Sequence, residues 1–212
     1  MMRSRLLILI FFLATSALHA QRILFSAAIN DSSILVSEDD KLVSKLTFYI
    51  SNLQLQTKND SLILVKDYHL LDFSDTSSLV IGGSLADSNQ EIKSIQFLLG
   101  IDSITSVSGV FGGALDPTKG MYWSWQSGYV NFKIEGELNA EKYILHLGGY
   151  SFPFKAVQKV ELEVNKFAKE YHIVLPLDDL LNIEIPKDRT IMSPSKEAVE
   201  IAKQIASYFY VR

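Results

Sequence analysis

Leu46, Phe48 and Ile50 alternate with Thr47, Tyr49 and Ser51, and Leu53 and Leu55 carry the pattern on. A period of two puts one apolar face on a core and the other outward, which only a half-buried β-strand satisfies. The same texture recurs along most of the chain, in short segments rich in Val, Ile, Phe and Tyr, separated by Gly, Asn, Asp and Ser. Ile23 to Ile29 is the first such segment. Asn59-Asp60 is a turn signal between the Leu46 strand and a strand from Leu62 to Leu71, so these two form a hairpin. Leu79 to Ile81, Ile92 to Ile101, Met121 to Glu135, Tyr143 to Leu147, Val157 to Val164 and Tyr171 to Leu177 complete the set. In the Met121 segment, Gly128 interrupts the strand as a bulge. One segment is helical: Val199, Ile201, Ala202, Ile205, Ala206 and Phe209 follow helical spacing, with Ser193 as N-cap and Pro194 at the first helical position. Many short strands and one terminal helix predict an all-β fold, a β-sandwich with a short C-terminal helix.

The N-terminus has a different character. Arg3 and Arg5 precede an apolar run from Leu6 to Leu13, and Ser16 to Ala20 are mostly small. The run is shorter than the ~18–20 residues that span a bilayer, so residues 1–20 are expected to be a cleavable export signal, with Gln21 as the mature start. His19 falls inside it and is set aside. The mature chain of about 190 residues fits one domain, 21–212. With 48% aliphatic and aromatic residues the core is ample. The chain has no cysteine. It therefore has no disulfide framework, no thiolate ligand or nucleophile, and no lipid-anchoring residue after the signal. A net charge of -4 offers no basic face to nucleic acid. The expected compartment is the periplasm or the exterior.

Enzyme signatures are missing. Gly82-Gly83-Ser84-Leu85-Ala86 only approximates a nucleophile elbow and reads as a turn. Asp178-Asp179 reads as a turn or helix cap, since adjacent strand residues face opposite ways. No phosphate-binding glycine loop occurs. No turnover is expected. His69, His146 and His172 are candidate metal ligands, although no two are close in sequence and each alone reads as a surface or hydrogen-bonded structural histidine. Ser103 to Gly120 is Gly- and Ser-rich without a period, a loop long enough to suggest a function.

The stretch from Ala114 to Gly136 departs from this background. Asp116-Pro117 opens a turn and Gly120 closes it. Trp123 and Trp125, the two tryptophans of the chain, are two apart, so on a strand both rings share a face. They form a core aromatic cluster or a ligand-facing pair.

These pieces together resemble the MbnP-like family of bacterial exported copper-binding proteins, found near methanobactin genes and in other bacteria. Leu46 to Leu53 is similar to the early strand, and Phe97-Leu98-Leu99-Gly100-Ile101-Asp102 to the central strand and turn. Gly113 to Pro117, Gly120-Met121-Tyr122-Trp123-Ser124-Trp125-Gln126-Ser127-Gly128-Tyr129 and Lys133 to Gly136 resemble the signature. His146-Leu147-Gly148-Gly149 and Met192-Ser193-Pro194 follow in order. The resemblance covers nearly all of 21–212. It implies a β-sandwich and a mononuclear copper bound through histidine, with His146 the first ligand candidate and His69 a second. In characterised members a partner dihaem peroxidase oxidises a tryptophan to kynurenine, which joins the site; here that position is Trp123 or Trp125. One departure stands out. Many relatives carry a first-strand histidine in a Phe-x-His setting, and Phe25-Ser26-Ala27-Ala28 has none. On the copper reading His146, a second histidine and a Trp ring are expected to converge within bonding reach of one point. If His146 stands apart from His69 and His172, a metal-free envelope interaction module on the same scaffold gains ground.

Overall fold

The structure, a computed structural model, describes residues 22–37, 39–82, 91–124, 126–164, 168, 170–183 and 190–212. The expected signal, Trp125 and the Gly83 to Ala86 part of the elbow-like stretch lie outside them. The strands are β1 (Arg22–Ile29), β2 (Ser32–Ile34), β3 (Lys45–Thr57), β4 (Leu62–Asp72), β5 (Val80–Gly82), β6 (Ile92–Leu99), β7 (Tyr122–Ser124), β8 (Gly128–Leu138), β9 (Glu141–Gly148), β10 (Gln158–Glu163), β11 (Glu170–Pro176), β12 (Thr190–Ile191) and β13 (Tyr210–Val211). The helices are α1 (Ser103–Val107), α2 (Leu177–Leu181) and α3 (Lys196–Tyr208).

Two sheets form. The smaller runs β13-β11-β1-β2, with β5 also on β1. The larger runs β10-β6-β3-β8-β9-β12, with β4 on β3 and β7 on β8. The long strand β3 organises the second sheet: Lys45 to Phe48 pair with β8, Ile50 to Thr57 pair with β6, and β4 pairs with β3. The all-β sandwich holds, and the Asn59-Asp60 hairpin is the β3–β4 connection.

The alternation of β3 explains the packing. Leu46, Phe48 and Ile50 are fully buried between the sheets. Phe48 stacks on Phe132 of β8 with ring centroids 5.3 Å apart and meets Phe209 edge-on at 5.8 Å. Phe25 of the smaller sheet meets Phe97 of the larger at 5.7 Å, also edge-on, the arrangement aromatic quadrupoles favour. Helix α3 closes this core with Ala198, Ile201, Ala202 and Ile205, one apolar stripe at helical spacing.

A second, smaller core lies on the opposite face of the large sheet. Tyr49, Ile101, Leu115, Met121, Tyr129 and Val130 are buried together, with Tyr68, Leu70, Tyr122 and Trp123 packed around them. The Ser103 to Gly120 stretch makes this cover. It contains α1 and two short 3-10 turns, Gly113–Leu115 and Pro117–Lys119. Tyr49 donates to the carbonyl of Ala114 at 3.1 Å, and Tyr129 to that of Leu115 at 3.1 Å.

Two local expectations change. The tryptophan segment is a hairpin, not one bulged strand: β7 pairs antiparallel with β8, Tyr122 opposite Tyr129 and Ser124 opposite Gly128. Gly128 has φ of 73° and its Cβ position is filled by the Tyr150 ring at 2.6 Å, so the chain turns there instead of continuing. The α3 N-cap is Ser195, not Ser193: its hydroxyl accepts from Ala198 N at 3.1 Å. Pro194 precedes the helix and packs beside Gly149, its Cβ 3.0 Å from the Cβ position of that glycine.

Candidate metal site

His146 is carried by β9. Its neighbours Leu145 and Leu147 are fully buried in the main core, so its own side chain faces the other side of the sheet. There it is 8% exposed. Register sets it opposite Lys133 of β8, Lys133 opposite Thr47 of β3, and Thr47 opposite Asp72 of β4. Nε2 lies 2.7 Å from Oε1 of Glu135. A carboxylate accepts only, so Nε2 carries the proton and Nδ1 keeps the lone pair. Burial lowers the His146 pKa below its ordinary value. The Lys133 charge acts the same way, and the bond to Glu135 opposes both. The lowered pKa favours the neutral ring, the form that binds metals.

Trp123 reaches the same strand. A Cβ built on Gly148 would lie 2.7 Å from the Trp123 ring and 2.6 Å from the carbonyl of Tyr129. The ring therefore sits on Gly148, two residues from His146 along β9. This explains the first glycine of the His-x-Gly-Gly motif: only a residue without Cβ admits the indole. The indole Nε1 is buried and has no hydrogen-bond partner, an exception that needs an explanation.

The other histidines do not join. His69 pairs with Ile50 across β3–β4, three residues from the Asp72–Thr47 pair, so it takes the opposite face from His146. The two also stand three strand spacings apart, about 14 Å. Nε2 of His69 donates to the carbonyl of Ser78 at 2.7 Å. His172 belongs to β11 in the smaller sheet, with Nε2 3.0 Å from Oε1 of Glu170. In β1, Ala27 and Ala28 are buried and bring no imidazole. Among the described residues no group of three His, Cys, Asp or Glu is placed to hold a metal. The expected convergence of His146 with a second histidine is therefore not found, whereas the Trp123 ring packs on the strand that carries His146. Trp125 lies outside the described residues.

Strand β12 runs parallel to β9, with Thr190 opposite Ile144 and Ile191 opposite Leu145. No local signal marks this, because the pairing joins segments far apart in the chain.

Burial also lowers the pKa of His69, with Lys66 adding to it and the Ser78 carbonyl opposing. A histidine whose folded pKa is depressed contributes stability that is complete above its unfolded value, about 6.5, and is lost as pH falls toward the folded value. Urea unfolding should therefore show stability falling between pH 7.5 and pH 5.5, before most carboxylates titrate. His69→Gln should flatten part of that fall. An unchanged slope in the variant would remove His69 from the account.

A model of the MbnP family matches residues 19–196. The solved structure of MbnP from Methylosinus trichosporium is similar in fold, with a TM-score of 0.55 at 14% identity, covering 85% of this chain and 86% of that one. No curated protein sequence matches the chain. With most of its length matched by that model, the chain belongs to the MbnP family.

Proposed function

We propose that this chain is an exported, non-enzymatic copper-binding protein whose site is centred on His146, with Trp123 beside it. The observation that carries the reading is the Glu135–His146 pair. Metal-binding histidines usually donate their second ring N–H to a carboxylate, which fixes the tautomer and aims the remaining lone pair at the ion. Here Nε2 is held in that way at 2.7 Å, and burial favours the neutral ring. Imidazole is a good copper donor. The donor set fits one imidazole ligand and no histidine cluster, since His69 and His172 lie elsewhere. Export rests on residues 1–20.

Trp123 is the candidate for oxidation to kynurenine by a partner dihaem peroxidase, because its ring abuts the His146 strand and its N–H lacks an acceptor. The conversion gains one oxygen and loses one carbon, a change of about 4 Da, which peptide mapping of protein from its native source assigns to one tryptophan.

Copper titration of the purified mature protein should give sub-micromolar binding, and His146→Ala should weaken it at least tenfold. Equal binding by variant and parent would sink the His146 assignment. A second reading is a metal-free envelope interaction module, favoured by the separation of His146 from the other histidines. Trp123 then serves as a packing or ligand-stacking ring, and the parent protein takes up no copper in the same titration.

A further inference from the structure

We propose that two adjoining loops at one end of the sandwich dock this protein on the surface of a bilayer that carries anionic phospholipid. The inference is independent of the copper reading. One loop is α1 with residues 108–113, and the other is the turn after β9, residues 150–155. The Ser103 hydroxyl donates to the carbonyl of Tyr150 at 2.6 Å. The Tyr150 ring and the Ser106 Cβ both border the Cβ position of Gly128, at 2.6 and 3.5 Å. The two loops therefore form one surface.

That surface is apolar. Phe152 is 95% exposed, Ile104 81% and Val107 69%, and Val110, Phe111 and Phe154 are exposed as well. Single exposed apolar residues are ordinary, but a contiguous group marks a protein or membrane contact. Its shape separates the two. A ring as free as that of Phe152 protrudes and lines no groove, and protruding points suit the soft boundary of headgroups and acyl chains. The polar groups agree. The hydroxyls of Ser103, Thr105 and Ser108 donate to Tyr150, Asp102 and Ile104 within the loops themselves. Satisfied hydroxyls enter an apolar medium at low cost, and they leave few polar anchors for the rim of a protein interface. Helix α1 has five residues, so the contact is interfacial and not spanning.

Charge selects the lipid. Between Asp102 and Asp116 the chain carries no charged residue, and between His146 and Lys155 it carries none either. The flanking carboxylates are occupied: Asp102 accepts from Thr105 and Tyr68, and Asp116 from Thr118. Lys66 and Asp67 of β4 border Phe111 and offset each other. Lys155 follows Phe154 and is exposed. Its ammonium stands at the rim of the apolar surface, where a lysine stem can lie along lipid while its head meets phosphate.

Flotation of the mature protein with vesicles of phosphatidylethanolamine and phosphatidylglycerol tests this, with vesicles of phosphatidylcholine alone beside them. Binding to the first and weaker binding to the second are expected. Phe152→Ser combined with Ile104→Ser should weaken binding to both by about tenfold or more. Lys155→Gln should cost about fivefold with the anionic vesicles and leave phosphatidylcholine unchanged. Leu62→Ser is the control. Leu62 is exposed on β4, roughly 20 Å along the strand from Tyr68, whose hydroxyl meets Thr105 of α1, and the variant should bind as the parent does. All the replaced side chains are exposed, so every variant should keep the parent's thermal midpoint, which checks that it is folded. Parent protein that stays in the unbound fraction overturns the proposal, as does binding unchanged by Phe152→Ser with Ile104→Ser. Parent affinity for anionic vesicles in Lys155→Gln overturns the choice of lipid. Self-association of the parent without vesicles, abolished by the same double change, gives the surface to a second copy and overturns the proposal as well.

Discussion

Replacing Phe48 by alanine should lower stability by about 3–5 kcal/mol, the range for truncating a buried aromatic. Phe48 is fully buried and joins the β3 strand to Phe132, Phe73 and Phe209 with ring separations of 5.3, 5.5 and 5.8 Å. One deletion therefore leaves a cavity where the large sheet, the chain after β4 and the C-terminal segment meet. A domain of this kind holds only about 5–15 kcal/mol in all, so the variant should unfold at a much lower urea concentration. Leu62→Ala is the control: Leu62 is 56% exposed on β4, and surface changes usually stay within about 0.5 kcal/mol. Equal midpoints for the two variants would contradict the core as described.

The second large effect is expected at Gly148. A methyl group there meets the Tyr129 carbonyl at 2.6 Å and the Trp123 ring at 2.7 Å. The carbonyl belongs to the β8 backbone and moves only with the strand, so Trp123 must leave its position. Gly148→Ala should cost about 1–3 kcal/mol by overpacking, shift the tryptophan fluorescence, and weaken copper at least tenfold while His146 is intact. Gly82→Ala, with open space around the added carbon, should do none of these. Unchanged fluorescence and copper affinity in Gly148→Ala would separate Trp123 from the site.

The fold was legible where one residue's environment is set by its own strand. Alternation marked β1, β3, β4, β8 and β9, and Asn59-Asp60 marked the hairpin. The Ser103 to Gly120 stretch showed no period because it is neither helix nor strand for most of its length. It wraps the outer face, and its Leu115 is buried against Tyr49 and Tyr129 by tertiary contact. The N-cap expected at Ser193 lies two residues on at Ser195, whose hydroxyl accepts from Ala198 N, so the helix starts at Lys196 and Pro194 stays outside it.

The site was legible in part for the same reason. His146 and the two glycines after it stood out as a motif. The opposed faces of His69 and His146 depend on register across four strands, β4, β3, β8 and β9. Counting along the chain cannot supply that. The β9–β12 pairing, Thr190 opposite Ile144 and Ile191 opposite Leu145, is equally remote in sequence.

Copper-edge anomalous diffraction from crystals of the copper-loaded protein tests the central claim most directly. One copper peak is predicted, within bonding distance of Nδ1 of His146 and on the face that carries Trp123. A peak at His69 or His172, or none at His146 in protein that has been offered copper, would contradict it.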